Sequence, residues 1–408
     1  MRLLIFTFLL LSYSAFGQKP LQTIPLSDSG STLNSMYLKS LDSTFQRVRL
    51  IGLGESTHGT SEFTIIRAEL FRYLVEHHDY TVFFLEADHN ACTRVNRYIQ
   101  GENDTVTKAM MEIRLWPWLT QELMDLIEWM REYNHQHENR LEFVGCDMQL
   151  IKDDIEELPR LLSSSPKYEP FLANLPDLNL QSTERSVLES KQREWLQFAE
   201  SFQQSFPEEE PLIINSVSQW FEKQLSKDEI GNIRDSCMGN NIADYLDRHP
   251  NAKGIYFAHN GHVGKLAYPY KGYQEIFKRA GHHLDLRLKD QYFAIGLDFH
   301  TGSFNAINYV DSMYVMEYFT FLKNHKKSLS RIVMGDDDHV KFVYSTALKN
   351  KKHLQMNGIG AIYGRSNTGQ KIYRYRTLNL DHFDAFIVIN KGTPTHLLKI
   401  TSKESQSK

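Results

Sequence analysis

The chain has 408 residues, 41% of them hydrophobic and 12% aromatic, which is enough for a large core. A formal net charge of −4 and the lack of any basic stripe give a nucleic-acid partner no electrostatic support. Three cysteines, Cys92, Cys146 and Cys237, with no CxxC or Cys/His zinc spacing, exclude a disulfide framework.

The N-terminus reads as a secretory signal. Arg2 is a minimal basic start, residues 3–11 are largely apolar, and Ala15-Phe16-Gly17 offers small residues before Gln18. The apolar run is short for a bilayer span. Residues 1–17 are therefore expected to be a signal peptide, and the protein to be secreted or periplasmic with no stable membrane insertion after cleavage. Residues 18–33 form a polar lead-in.

Short apolar runs then predict strands at 48–53, 81–85, 141–144, 254–258, 292–297 and 385–389. Helical periodicity marks 60–76, 89–99, 121–133 and 235–246, as in Ile66, Leu70, Tyr73 and Leu74. Strands separated by helices predict an α/β fold: a mostly parallel central sheet flanked by helices. Residues 149–250 carry almost no strand signal and read as a helical insertion or lid, with helices at 151–162, 185–205 and 212–225. One α/β domain over 18–400 and a polar tail at 401–408 complete the organisation.

Gly54-Glu55-Ser56-Thr57-His58-Gly59 sits between the first strand and its helix. In open α/β sheets such loops line the ligand-binding edge. His58 is a candidate general base, since neutral imidazole takes a proton from water near pH 7. Glu55 would orient it or donate a proton. Other strand ends repeat the pattern: Glu86 and Asp88, Asp147 and Gln149, His259, Asn260 and His262, Asp298 and His300. Parallel strands would bring these groups to one edge. Glu86 follows four apolar residues and needs a partner; Arg67 is a candidate counter-charge. Asp235 fits a helix N-terminal role. Trp116-Pro117-Trp118 reads as helix packing, and Tyr268-Pro269-Tyr270 as a candidate binding wall.

The Gly54–His58 stretch is not a G-x-S-x-G nucleophile elbow, because His58 stands at the fifth position. Asp336-Asp337-Asp338-His339 lacks the closing Glu of a calcium loop and reads as a solvated turn. The Glu and His residues could ligate zinc, but H-e-x-x-H spacing is absent.

These motifs together resemble the erythromycin esterase family. The resemblance rests on Gly54 to Phe63, Arg67, Phe84-Leu85-Glu86-Ala87-Asp88, Asn96-Arg97-Tyr98, Trp129 to Asn134, Gly145-Cys146-Asp147-Met148-Gln149, Arg234-Asp235 with Met238, and Ala258-His259-Asn260-Gly261-His262-Val263. It implies an α/β fold with a helical subdomain and a deep cleft. It also implies cofactor-free, metal-independent hydrolysis of an ester or lactone, macrolides among them. On that reading His58 activates water, Glu55 and Glu86 orient and tune it, Arg67 supports the carboxylates and His259 stabilises or protonates. His262, Asn260 and Tyr268 would contact substrate. A metal-dependent hydrolase built on the same cluster, and a non-catalytic exported binding or polysaccharide-processing accessory protein, are the competing readings.

Overall fold

Apolar runs free of turn residues build the centre of one sheet. The computed structural model describes residues 21–399 apart from 29, 31, 179–183, 207–211, 227–230, 270–275, 335–339, 352, 370 and 372–373. The expected signal segment at 1–17, the 401–408 tail, Tyr270 and Asp336-Asp337-Asp338-His339, expected to be a turn, lie outside the described residues.

The strands are β1 (Ile24–Pro25), β2 (Leu50–Leu53), β3 (Val82–Asp88), β4 (Glu142–Asp147), β5 (Gly254–Phe257), β6 (Tyr268–Pro269), β7 (Ile276–Phe277), β8 (Tyr292–Val310), β9 (Met313–Phe321), β10 (Lys341–Tyr344), β11 (Gln355–Asn357), β12 (Tyr375–Thr377) and β13 (Ala385–Gly392). Nine of them form one sheet in the order β1-β10-β13-β8-β2-β5-β3-β4, with β9 added to β8. The block from β13 to β4 is parallel throughout and holds all six strands expected from the sequence. β1, β10 and β9 are antiparallel additions.

Strands β2, β3 and β5 are buried on both faces, as helices on each side of a parallel sheet require. Alternate residues divide between two cores. Ile51, Leu53, Phe83, Leu85 and Phe257 pack with α1 (Ser61–His78), α2 (His89–Ile99) and α3 (Gln121–Gln136). Leu50, Val82, Phe84 and Tyr256 face the opposite side, where Met238, Ile242 and Leu246 lie.

Between β4 and β5 the elements among the described residues are all helices. They include α4 (Ile151–Leu162), α5 (Arg185–Ser205), α6 (Leu212–Leu225) and α7 (Asn232–Arg248). Helices α4, α5 and α6 carry a third cluster of their own, with Leu158, Trp195, Phe198, Phe202 and Phe221. The indole of buried Trp195 donates to the Ser218 hydroxyl at 2.9 Å, which satisfies its one polar atom. After β5 come the single turn α8 (Asn260–Val263) and α9 (Ala280–Leu288), which packs on α7.

This order places the chemistry. β5 lies between β2 and β3, so the segments at their carboxyl ends are neighbours: 54–60, 259–263 and Glu86 itself. Ligands of open parallel sheets bind along that edge.

Candidate active site

The loop after β2 is short and held on all sides. Gly54 donates its N–H to Ile295 O at 2.8 Å, and Asn260 N–H reaches Glu55 O at 2.8 Å. A Cβ on Gly54 would fall 2.0 Å from Asn260 Oδ1, so only glycine lets the two loops meet. A late segment closes the other side: Ile359 N–H donates to Ser56 O at 2.9 Å, and His58 N–H to Gly360 O at 3.3 Å.

Within that loop His58 Nδ1 lies 2.5 Å from Glu55 Oε1. A carboxylate only accepts, so the proton is on Nδ1 and Nε2 carries the lone pair. Arg67 donates to the other oxygen of Glu55. The Arg67 guanidinium is fully buried and stacks 3.1 Å over the Phe257 ring. Burial pulls it down to about 10, and the charge of Glu55 keeps it protonated at neutral pH. Trp118 meets the His58 ring edge-on at 5.4 Å, and its indole N–H donates to Glu86 O at 2.9 Å. Trp118 packs in the core, against Phe257 at 5.0 Å, and the same ring walls the imidazole.

Glu86 is the hub of a second network. It accepts from Arg234 at 2.8 Å and from the His259 N–H at 2.9 Å. Its Oε1 also lies 3.3 Å from His262 Nε2. Burial opposes its charge, but His262, Arg234 and His58 hold the carboxyl well below the usual range. Arg234 forks onto Asp147 at 2.6 and 3.1 Å. His262 Nδ1 bonds Asp235 Oδ1 at 2.6 Å, and Arg279 holds the other oxygen of Asp235 at 2.8 Å. Burial works against a charge on His262, yet Asp235 and Glu86 on its two nitrogens raise its pKa. His262 therefore favours the imidazolium form.

His259 is the opposite case. Burial and the nearby His58 and His262 push it down to about 3. Its Nδ1 accepts the Gly261 N–H at 3.1 Å, so the proton of the neutral ring is on Nε2. That atom is buried, and a hydrogen bond from the ring to the Ser56 backbone carbonyl opposes the fall in its pKa. The His259 and His58 rings are 5.4 Å apart. A base with a free lone pair thus stands beside a neutral imidazole. This arrangement suits attack of water on a carbonyl.

The family model for erythromycin esterase matches residues 75–392. The chain belongs to the erythromycin esterase family. Erythromycin esterase type I of Escherichia coli is 22% identical over 271 residues, 57% of this chain and 66% of that protein. The chain's match thus spans just under two thirds of that relative. Among solved structures, a mutant of the erythromycin esterase EreC in its open conformation superposes with TM-score 0.68 at 18% identity, covering 93% of this chain and 99% of that one. A protein described as a succinoglycan biosynthesis protein superposes with TM-score 0.73 at 21% identity, covering 92% and 96%. These two likenesses show the shared α/β fold. Membership of the erythromycin esterase family supports a hydrolase.

Of the residues singled out in the sequence, Glu55, His58, Arg67, Glu86, His259 and His262 lie in one connected cluster. Asn260 does not offer its amide to a substrate. Its Nδ2 donates to Leu297 O at 2.8 Å and its Oδ1 accepts Leu297 N–H at 3.1 Å. It splices the loop after β5 onto β8, where a backbone rung would otherwise sit. Tyr268 stacks on Phe277 at 5.4 Å and meets His382 edge-on, contacts that tie it to β7 and to the C-terminal part of the chain. Asp298 and His300 are not at a strand end, because β8 runs on to Val310. Asp298 is buried and accepts Asn357 Nδ2 at 2.6 Å. Asp235 is not merely a helix-dipole residue, since it grips His262. The sequence reading missed the bracing backbone of 358–360, which carries no chemical side chain to announce it.

Proposed function

We propose that this protein is an exported hydrolase that opens an ester or lactone, macrolide lactones among the candidates, with water activated by His58. The observation that carries the reading is the Glu55–His58 pair, with its free Nε2, beside the neutral His259 ring. In this mechanism His58 Nε2 takes a proton from water, and Glu55, fixed by Arg67, stabilises the imidazolium as it forms. The new hydroxide attacks the carbonyl carbon. The carbonyl oxygen, gaining charge, accepts from His259 Nε2–H. His259 stays neutral, so it serves as a hydrogen-bond donor and not as an acid. Collapse of the tetrahedral species expels the alkoxide, which recovers its proton from His58. A general base of this kind contributes roughly 10²–10⁴-fold, and an oxyanion donor roughly 10²–10³-fold.

Export is supported by the pattern of residues 1–17. Among the described residues no helix is long and apolar enough to cross a membrane. For the metal-dependent alternative His58 would offer Nε2, whereas His262 has both ring nitrogens against carboxylates. Among the described residues no group of three or more His, Cys, Asp or Glu is arranged to hold a metal ion.

A panel of macrolides and of other cyclic and linear esters, followed by mass spectrometry, tests the reading. The expected result is a product gaining one water, made by wild type and lost in His58→Asn, whose circular dichroism matches wild type. Turnover should survive exhaustive chelation. Equal hydrolysis by His58→Asn would overturn the role of His58. Loss of turnover on chelation, restored by a metal ion, would favour the metal-dependent reading. Ligand-induced stabilisation with no product from any ester would favour the accessory-protein reading.

A further inference from the structure

The hairpin of β8 and β9 leaves one long strand edge open, and that edge is unusually apolar. β9 pairs with β8 from Gly302↔Phe321 to Val310↔Met313 and with no other strand among those described. Asp311 and Ser312 form the two-residue turn, both at positive φ, 49° and 67°. Such a turn suits the twist of a two-residue hairpin.

Backbone pairing decides which groups face outward. Asn305, Ile307 and Tyr309 of β8 direct their N–H groups to Gly59, Ala361 and Arg365 on the far side of β8. Their partners across the ladder are Tyr318, Met316 and Tyr314. In an antiparallel pair, those partners must then point their own N–H and C=O groups to the open edge. The same even-numbered positions show their side chains to solvent: Tyr314 is 58% exposed, Met316 37%, Tyr318 73% and Leu322 81%. Val310 and Met313 extend the patch, so among the described residues six of the ten exposed large hydrophobics fall within 13 positions.

Natural sheet edges are guarded by lysine, proline, bulges or inward-pointing charges. From 313 to 322 there is no Lys, Arg or Pro. The one carboxylate, on Glu317, is bound by Asn308 Nδ2 at 3.0 Å. An unguarded edge of this length calls for an occupant.

We propose that β9 is the interface of a two-fold dimer, in which the strands of two copies of this chain pair antiparallel into one continuous sheet. The strand suits its own copy. A two-fold axis at Met316 sets each Tyr314 opposite Tyr318 of the other copy and each Glu317 opposite Val315. All the outward backbone groups then pair. An axis at Glu317 would oppose like charges and is disfavoured. In the joined sheet the exposed side chains at 314, 316 and 318 of the two copies lie alongside one another on one face, as cross-strand neighbours. The interface would be isologous and closed, so it stops at two.

Sedimentation velocity of the full protein across a micromolar series is the test. The expected particle has twice the mass of one chain. The Met316→Glu/Tyr318→Lys double variant should sediment as one chain with unchanged circular dichroism, association being weakened at least about 100-fold. Met316→Cys provides a second measurement that leaves the hairpin apolar. The two Cα atoms on the axis would be about 5.5 Å apart, within disulfide reach, and the native cysteines are buried. Mild oxidation should give a covalent dimer. A wild type that stays a single chain at about 100 μM, a value chosen well above typical dimer affinities, would overturn the proposal. So would a double variant that dimerises as tightly as wild type, or a Met316→Cys chain that does not cross-link.

Discussion

His262 and His259 stand three positions apart and are pushed in opposite directions by their neighbours. Asp235 and Glu86 raise the His262 value above its ordinary one. The stability drawn from that pairing is fully present below about 6.5 and is lost as pH rises through the folded-state value. The difference in Tm between wild type and His262→Gln is therefore expected to narrow as pH is raised from about 6 to about 9. His259 is pushed down to about 3. An unfolded chain takes up this proton below about 6.5 while the fold resists it, so the folded state loses ground at about 1.4 kcal/mol per pH unit in that window. His259→Gln should flatten the acid-side fall of the urea midpoint. It should also lower kcat more than it raises KM if the ring serves the developing oxyanion. Arg234 has a third role. Its side chain bonds Glu86 and Asp147 together, and both are buried. Arg234→Gln should cost about 3–5 kcal/mol in urea unfolding, because it leaves two buried carboxylates without their cation.

At the level of elements, the site is the meeting of two loops and a brace. The loop after β2 carries His58, the proposed base, the turn after β5 carries His259, the proposed donor, and the 358–360 segment holds the first loop by its backbone. Gly54 is the point of closest approach between the two loops. Gly54→Ala should separate Glu55 from Asn260 and release the Leu297 splice. The expected outcome is a loss of activity greater than the loss of stability, read by kcat beside the Tm. The helical insertion is a separate element with its own aromatic cluster. Trp195→Ala should cost about 3–5 kcal/mol locally. Hydrogen exchange should quicken in α4, α5 and α6 while the strands of the parallel block keep their protection.

Across the whole molecule, the parallel block was the legible part. Its strands are buried on both faces and so appear as unbroken apolar runs, which separate cleanly from the helical periods between them. The additions at the sheet margins were not legible. β1 is two residues long, and β10 carries Lys341 at its start. The second half of β8 hides behind polar Asp298, His300, Ser303 and Asn305, which lie in the strand with polar partners at Asn357, Asn324, Thr320 and Thr395. The site divides in the same way. Glu55, His58, Glu86, His259 and His262 could be read because chemistry needs those side chains. Asn260 was misread because an amide that replaces a backbone rung has the same composition as one that binds a ligand. The partnership of Arg234 with Asp147 needed the third dimension, since no spacing in the chain links a helix to a strand end 87 positions earlier.

The brace at 358–360 also sets when activity can first exist. Every acidic and basic group of the site has been synthesised once residue 279 emerges, yet the loop that carries His58 still lacks its backbone partners at Ile359 and Gly360. Strand β13, which flanks β8 in the finished sheet, follows later still. A chain still being made holds all the reactive groups with nothing to align them. The hydrolytic machinery is thereby withheld until nearly the entire polypeptide has arrived, and a truncation at residue 350 should yield a protein with every catalytic side chain and no turnover.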